Sequence, residues 1–254
     1  TFKRLMITEF LSKRISYGMM FLFILLNTIL LYNDIYYLLA FPLLILIIYL
    51  FIFRLDMVFL VVVFCTPLSF NFENLKLLGI GFYFPTEPLL LIFTTVFIFQ
   101  YLYKRSLNKD HLHYKNPLII IVIIQLIWIF TSSIASEIPL VSFKFFLSRS
   151  WFTVPMIFYG IHFFKGGEKP IKQFFTVFLS SIVIVTLYTL INHMINGFSE
   201  ESGHWVMWPF FKDHTSYGAV LALSIPINIW LLSESKKNFA RFILFSFLIL
   251  LLVG

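Results

Sequence analysis

Charged residues are scarce in this 254-residue chain, where Asp, Glu, Lys and Arg together make up 12% of the sequence and hydrophobic residues 60%. A soluble domain of this size cannot hide so much apolar surface. Apolar runs of bilayer-spanning length recur along the chain, so each run is expected to be a helix that satisfies its own backbone hydrogen bonds. The sequence therefore predicts a polytopic integral membrane protein.

Cysteine is nearly absent, and the single Cys65 lies within an apolar run, where it has no partner for an internal disulfide. It therefore says nothing about the redox compartment. Histidine is sparse as well. His111 and His113 form an HxH pair, but no further His or Cys lies nearby in the sequence. A stable metal site needs more ligands than this pair supplies, so no metal site and no cofactor is predicted.

Nine apolar segments are predicted to span a membrane, which gives an all-α, polytopic transmembrane helix bundle over residues 1–254 as a single domain. The chain begins with Thr, and its last apolar run holds only about 13 residues against the roughly 20 of a spanning helix. We therefore expect a domain truncated at both ends, with further spans after residue 254. The nine segments are 16–32, 36–53, 56–70, 87–103, 117–135, 143–164, 173–195, 214–232 and 242–254.

The distribution of Lys and Arg predicts the side of the membrane on which each loop lies. With a cytoplasmic N-terminus, fifteen of the 19 cationic residues fall in cytoplasmic segments, which agrees with the positive-inside rule. Membrane topology thus accounts for the net charge of +7 without nucleic acid, and anionic membrane lipids are the expected partners of the basic loops. The cations left on the outer side are Lys76, Lys144, Arg149 and Lys212.

Arg149 is the most informative of these outer cations. In a span that starts near Phe143 it lies about six residues inside, roughly 9 Å from the helix start. A charge at that depth must snorkel, pair or face a polar cavity. Because a guanidinium offers paired donors to phosphate oxygens, Arg149 is predicted to bind an anion in an outward-facing cavity. The alternative is that the span starts at Trp151 and Arg149 only marks the helix end.

The PTEP stretch at residues 85–88 predicts the start of a helix. Thr86 can cap it, Glu87 favours the positive end of the helix dipole, and Pro88 fits the first turn. The alternative reading is that the Glu87 carboxylate orients a sugar hydroxyl beside an outward-facing cavity.

The stretch FKDHTSYGAVLALSIPI, residues 211–227, concentrates polar side chains at the start of the eighth span. Asp213 or Thr215 is predicted to cap this helix. His214 and Tyr217 then share one helix face at the outer membrane surface. Histidine is the side chain best suited to accept a proton near neutral pH, so His214 is a candidate base or hydrogen-bond donor. Capping and packing alone are the alternative explanation.

This stretch, together with PTEPLLLIF and the isolated Arg in FFLSRSWF, resembles O-antigen ligase and O-antigen polymerase family proteins. The resemblance covers most of the chain and implies a glycosyltransferase of the bacterial cytoplasmic (inner) membrane with its site facing the periplasm. Such proteins transfer a glycan from an undecaprenyl-diphosphate carrier to a sugar hydroxyl. The acceptor is lipid A-core for a ligase and a growing polysaccharide for a polymerase.

The resemblance also implies roles for individual residues. No metal or nucleotide is needed, and the main general base is expected in a large outer loop after residue 254. Arg149 is the expected diphosphate contact, Lys212 is a weaker second contact, and His214 lines the donor cavity as the candidate catalytic residue. The further candidate substrate-binding residues are Tyr217, Glu87 and Asp213.

A transporter or flippase of lipid-linked glycans is the alternative function, in which Arg149 binds substrate and no bond is broken. A transporter should carry polar residues deep in several spans and show internal repeats. Apart from Gln125 the predicted spans are poor in such residues, and the sequence shows no internal repeat. The sequence therefore favours the transferase.

Overall fold

A computed structural model describes residues 17–18, 20–32, 36–71, 83–106 and 116–254. Within these residues the protein is almost entirely helical, as the apolar runs predict. The exception is a short antiparallel pair of two-residue strands, β1 (Phe70–Asn71) and β2 (Tyr83–Phe84), in which Phe70 pairs with Phe84.

The helices follow the predicted apolar segments to within about five residues at each end: α8 begins at Glu168 instead of near residue 173, and α6 begins at Pro139 instead of near Phe143. A 3₁₀ segment precedes α2, a π-helical segment joins α6 to α7, and a second 3₁₀ turn precedes α9. In chain order the elements are α1 (Met20–Tyr32), 3₁₀ (Tyr37–Ala40), α2 (Phe41–Phe53), α3 (Leu55–Cys65), α4 (Thr86–Ser106), α5 (Pro117–Ile134), α6 (Pro139–Thr153), π (Val154–Tyr159), α7 (Gly160–Phe164), α8 (Glu168–Ile195), 3₁₀ (Ser202–His204), α9 (His214–Glu234) and α10 (Asn238–Val253).

The chain divides into two compact units, Thr1–Phe53 and Arg54–Gly254. In the first unit the rings of Phe23 in α1 and Phe41 in α2 lie 6.4 Å apart, centroid to centroid. The second unit contains α3 to α10 and every candidate site residue that lies within the described ranges.

Four helices in the described part of the chain are long and apolar enough to cross a membrane, namely α4, α5, α8 and α9. Of the five remaining predicted spans, α1 and α10 are apolar but shorter, α2 and α3 are long enough only when taken together, and the sixth is interrupted by the π-helical segment. The outward side chains suit lipid, since Ile121, Ile124 and Trp128 of α5 are 66%, 60% and 72% exposed. These features are those of a helical membrane protein.

Aromatic rings form the centre of the second unit around Phe59 of α3, which is 1% exposed. Its ring centroid lies 6.0 Å from that of Phe93 in α4 and 5.2 Å from that of Tyr159 in the π-helical segment. Phe163 of α7 and Phe174 of α8 lie at 5.1 and 5.9 Å. One side chain thus contacts four neighbouring elements and fixes their spacing.

Polar contacts set the relative directions of the helices. Lys172 in the first turns of α8 donates to Glu234 at the end of α9, 3.0 Å away, so these two helices are antiparallel. The Ser133 hydroxyl of α5 donates to the Ser142 carbonyl of α6, 3.0 Å away, across the tight connection between them. The consecutive helices α5 and α6, and likewise α8 and α9, therefore run antiparallel.

The helices α4 and α6, which are separated by α5 in the chain, run in the same direction. Near their starts the carboxylate of Glu87 attracts the ammonium of Lys144. Seven residues further along each helix, the Thr94 hydroxyl donates to the Trp151 carbonyl, 3.0 Å away. Parallel packing of α4 and α6 with an intervening antiparallel α5 is the arrangement expected of successive membrane spans.

Candidate functional site

Charged side chains of the second unit divide unequally between its two ends. The start of α3, the start of α8 and the end of α9 lie at one end, which we call the cation-rich end. The end of α8 and the start of α9 lie at the other, which we call the histidine end. The cation-rich end carries Arg54, Lys165, Lys169, Lys172, Lys236, Lys237 and Arg241, whereas the histidine end carries His193, His204, His214, Lys212, Asp213, Glu200 and Glu201.

A cavity of about 370 Å³ lies between α8 and α9 at the histidine end. His214 and Tyr217 both line it, so the prediction that they share a face of α9 is confirmed. Its other walls are largely apolar, including the buried side chains of Val206, Met207 and Leu221. An apolar cavity of this volume with a few polar groups has the general character of a small-molecule site.

Tyr217 brings a hydroxyl group to the buried part of this cavity. Its side chain is 4% exposed, and its hydroxyl lies close to the hydroxyls of Thr186 and Thr189 without a hydrogen bond of good geometry to any described residue. The nearby hydroxyls of Thr186 and Thr189 donate to carbonyls of their own helix, at Ile182 and Val185. Because a buried hydroxyl is stabilised by a hydrogen bond, the Tyr217 hydroxyl is available to a polar group of a bound ligand.

His214 contacts a second imidazole that the sequence did not suggest. The Nδ1 atoms of His204 and His214 are 3.3 Å apart, and the two rings are 4.6 Å apart at 75°. Both side chains are exposed. Which Nδ1 carries a proton depends on the tautomer, since only one of the two can donate to the other.

Two side chains at the end of α8 hold the connection that carries His204. The Asn192 amide donates to the Val206 carbonyl, 3.0 Å away, and the ring Nε2 of His193 lies 3.2 Å from the Ser199 carbonyl. Both side chains bond the backbone of the loop that follows α8. The loop is thereby fixed over the cavity.

Asp213 caps α9, as predicted. Its carboxylate accepts hydrogen bonds from the Thr215 hydroxyl and from the Ser216 amide, the latter at 2.7 Å. The bond from Thr215, followed by that from Ser216, lowers the pKa of the Asp213 carboxyl to about 2. Asp213 is therefore anionic near neutral pH and does not serve as a proton donor there.

Arg149 lies well inside a helix. Because α6 begins at Pro139, Arg149 lies about 15 Å along the helix from its start and does not mark the helix end. The helical path continues through the π-helical segment, where Pro155 has no amide hydrogen to donate, and reaches Phe164. Arg149 is exposed, and no carboxylate of the described residues forms an ion pair with it.

Glu87 begins α4 beside Lys144 of α6. The carboxylate accepts a hydrogen bond from the Tyr83 amide and attracts the Lys144 ammonium, while its Oε2 atom is buried with no hydrogen-bond partner in the described ranges. The Thr86 hydroxyl bonds the hydroxyl of Ser69, which lies four residues after the end of α3, instead of capping α4. Lys144 thus interacts with Glu87, whereas Arg149 forms no ion pair with a carboxylate of the described residues.

The predicted site residues fall into separate groups. His214 and Tyr217 line the α8–α9 cavity, whereas Arg149, Glu87 and Asp213 are not among its lining residues. Lys212 is exposed in the loop before α9 and does not line the cavity either. The HxH pair of His111 and His113, and the outer cation Lys76, lie outside the described residues.

Buried polar residues in the interior of the bundle were missed by the sequence reasoning. Ser181 of α8 and Ser224 and Asn228 of α9 are fully buried, whereas Gln125, the one deep polar residue that was expected, is exposed on α5. Both serines donate to carbonyls of their own helices, while the Asn228 amide has no partner in the part of the chain that the structure describes. The spacing of Tyr217, Ser224 and Asn228, at i, i+7 and i+11, places them on one face and was a usable signal.

Fold and composition together define a helical membrane protein, and the site adds a cavity with an imidazole and a phenol at one end of the bundle. Comparison of the chain with family models, curated proteins and solved structures gives no match. Among the described residues no cluster of three or more His, Cys, Asp or Glu side chains is arranged to hold a metal ion.

Proposed function

We propose that this chain is part of an O-antigen ligase-like membrane glycosyltransferase, which transfers a glycan from an undecaprenyl-diphosphate carrier to a sugar hydroxyl. The proposal rests on the sequence resemblance and on one structural observation, the cavity that places His214 and Tyr217 at the end of the bundle opposite the main cluster of cations. The reaction takes place on the periplasmic face of the bacterial cytoplasmic membrane, with lipid A-core or a growing polysaccharide as the acceptor.

The orientation in this proposal follows from the charge distribution. The cation-rich end faces the cytoplasm under the positive-inside rule, so the histidine end faces outward. The N-terminus is then cytoplasmic, and nine spans alternate in direction, with the interrupted helix 139–164 as the sixth. The parallel packing of α4 and α6 supports this alternation, because the fourth and sixth spans must run in the same direction.

The chemistry assigned to the site is nucleophilic substitution at the anomeric carbon. The acceptor hydroxyl oxygen forms the new glycosidic bond, the bond from the anomeric carbon to the diphosphate breaks, and the hydroxyl proton passes to a base. In this scheme Arg149 stabilises the negative charge of the diphosphate outside the cavity, with Lys212 as a second cation. The transferred sugar occupies the cavity, where His214 and Tyr217 contact its hydroxyl groups.

A flippase for lipid-linked glycans is the second candidate, and the buried amide of Asn228 favours it, since transporters carry polar groups at mid-membrane depth. The two candidates differ in the leaflet where unused substrate collects. Cells that lack a transferase should accumulate lipid-linked glycan in the outer leaflet, whereas cells that lack a flippase should accumulate it in the inner leaflet. Labelling of the glycan in intact cells by a membrane-impermeant reagent distinguishes these outcomes.

Reporter fusions test the orientation. At Lys109, a reporter that works only in the cytoplasm should be active. At Ser202, a reporter that works only outside the cytoplasm should be active, because the two positions lie in loops of opposite charge balance. Paired reporters that are active on opposite sides of the membrane provide the measurement. The reverse pattern would overturn every assignment of a side, including the outward position of the cavity.

Substitutions in the cavity test its role in transfer. His214→Gln should lower the rate of glycan transfer at least about tenfold, because general acid–base groups contribute on the order of 10²–10⁴ and hydrogen-bonding groups in a site less. Tyr217→Phe removes only the hydroxyl and should have a smaller effect. Transfer rates measured in membranes with equal protein abundance provide the comparison, and full activity of the His214→Gln protein would assign His214 to packing alone.

A further inference from the structure

We propose that a groove between α3 and α8 at the cation-rich end binds a phospholipid whose headgroup carries both a phosphate and a primary ammonium, as in phosphatidylethanolamine. The groove, which we call the α3–α8 groove, lies within the second unit and has a volume of about 600 Å³. Its lining carries a carboxylate beside its cations, and this charge pattern selects the lipid. The proposal concerns lipid binding only and does not depend on glycan transfer.

The position of the groove along α8 matches the depth of a phospholipid headgroup. With 28 residues, α8 is about 42 Å long, and a bilayer is about 30 Å thick in its hydrocarbon core and about 40–45 Å with its headgroups. The first turns of α8, where Lys169 and Lys172 line the groove, therefore lie at headgroup level when the helix spans the membrane. Val177 lines the same groove about 12 Å further along the helix than Lys169, at the level of the acyl chains.

The lining of the groove combines polar and apolar side chains in the way that a phospholipid requires. Glu168, Lys169 and Gln173 are exposed and bring charged and amide groups to the groove near the start of α8. Leu60 of α3 and Val177 of α8 are half-buried and give the groove apolar walls. A charged headgroup followed by acyl chains can contact both kinds of wall. A soluble anion has no apolar part to bury there, so the lining favours a lipid.

Lys169 is the cation that is available to the phosphate. It is exposed and forms no ion pair with a carboxylate of the described residues. Lys172, by contrast, donates to Glu168 at 3.3 Å and to Glu234 at 3.0 Å, so its charge is balanced by two carboxylates. A hydrogen bond from an ammonium to a phosphate oxygen is charge-assisted and stronger than a neutral one. The phosphate is therefore assigned to Lys169.

Glu168 is the group that distinguishes one headgroup from another. Among the described residues the Lys172 ammonium donates to its Oε2 atom, so Oε1 remains to accept a hydrogen bond. A primary ammonium can donate to this carboxylate, whereas the quaternary ammonium of phosphatidylcholine has no N–H. Phosphatidylglycerol has no positive charge to offset the carboxylate. The groove therefore differs from the basic loops, for which anionic lipids are the expected partners.

Lipid titration of the full-length protein tests the proposal. Delipidated protein in detergent is titrated separately with phosphatidylethanolamine, phosphatidylcholine and phosphatidylglycerol of identical acyl chains, and bound lipid is counted by native mass spectrometry. Phosphatidylethanolamine should bind about threefold more tightly than the other two, the order expected of one exposed charged pair. Lys169→Gln should weaken all three lipids, because they share the phosphate. Glu168→Gln should remove the preference for phosphatidylethanolamine over phosphatidylcholine.

Lys236→Gln is the matched control, because Lys236 is an exposed cation at the same end that does not line the groove. This variant should bind all three lipids like the unmodified protein. Inorganic phosphate at millimolar concentration should not displace phosphatidylethanolamine. Equal binding of phosphatidylethanolamine and phosphatidylcholine, tighter binding of phosphatidylglycerol, a preference that survives Glu168→Gln, or displacement by inorganic phosphate would overturn the proposal, whatever the outcome of a transfer assay.

Discussion

Replacing Arg149 by Ala should lower glycan transfer by about a hundredfold or more and cause lipid-linked glycan to accumulate. The loss is expected because preorganised groups that stabilise charge on a leaving group contribute on the order of 10²–10³ in rate. Arg149 is exposed on α6 about 15 Å from the helix start, so its removal should leave packing and membrane abundance unchanged. Transfer is measured in membranes with matched protein levels.

Two further variants make this result specific. Arg149→Lys keeps the charge but loses the paired donors of the guanidinium, so it should recover only part of the activity. Arg241→Ala removes an exposed cation at the cation-rich end and should leave transfer unchanged. Normal surface glycan in the Arg149→Ala cells would remove this residue from the site, and an equal loss in the Arg241→Ala cells would point to a general effect of charge.

Replacing Phe59 by Ala should lower the free energy of unfolding by about 3–5 kcal/mol, the range found for large aromatic side chains in well-packed interiors. Phe59 is 1% exposed and its ring contacts Phe93, Tyr159 and Phe163, so its loss leaves a cavity where several helices meet. Contacts of this kind drive helix association in membranes, where the hydrophobic effect contributes little.

The matched control is Phe99→Ala on α4, where the side chain is 70% exposed and faces outward. It removes the same group from the surface of the bundle and should change stability by less than about 1 kcal/mol. Reversible denaturation in mixed micelles measures both variants. Equal stabilities of the two variants would contradict the placement of Phe59 at the centre of the second unit.

Hydropathy predicts the helices well because the period and length of an apolar run depend on local sequence alone. The fifth segment was expected at 117–135 and the helix spans Pro117–Ile134, with Asn116 as its cap. The start of α6 was placed four residues too late, because Pro139, Ser142 and Lys144 lower the hydropathy of its first turns. The β1–β2 pair was not predicted, since two-residue strands leave no periodic signal.

The site was predictable only where it depends on neighbouring residues in the chain. The Asp213 cap and the common face of His214 and Tyr217 follow from helical spacing, and both are present. The contact between His204 and His214 depends on the path of the loop between α8 and α9, which the sequence pattern does not specify. The attraction between Glu87 and Lys144 requires two helices that are not consecutive to pack together, and it was missed for the same reason.

Purified full-length protein incubated with a lipid-linked glycan and separate acceptors tests the central claim most directly. The account predicts a product in which the glycan is joined to a sugar hydroxyl of lipid A-core or of a growing polysaccharide, with release of undecaprenyl diphosphate and without added metal or nucleotide. Intact lipid-linked glycan that is only moved between the leaflets of a proteoliposome, with no new glycosidic bond, would contradict it.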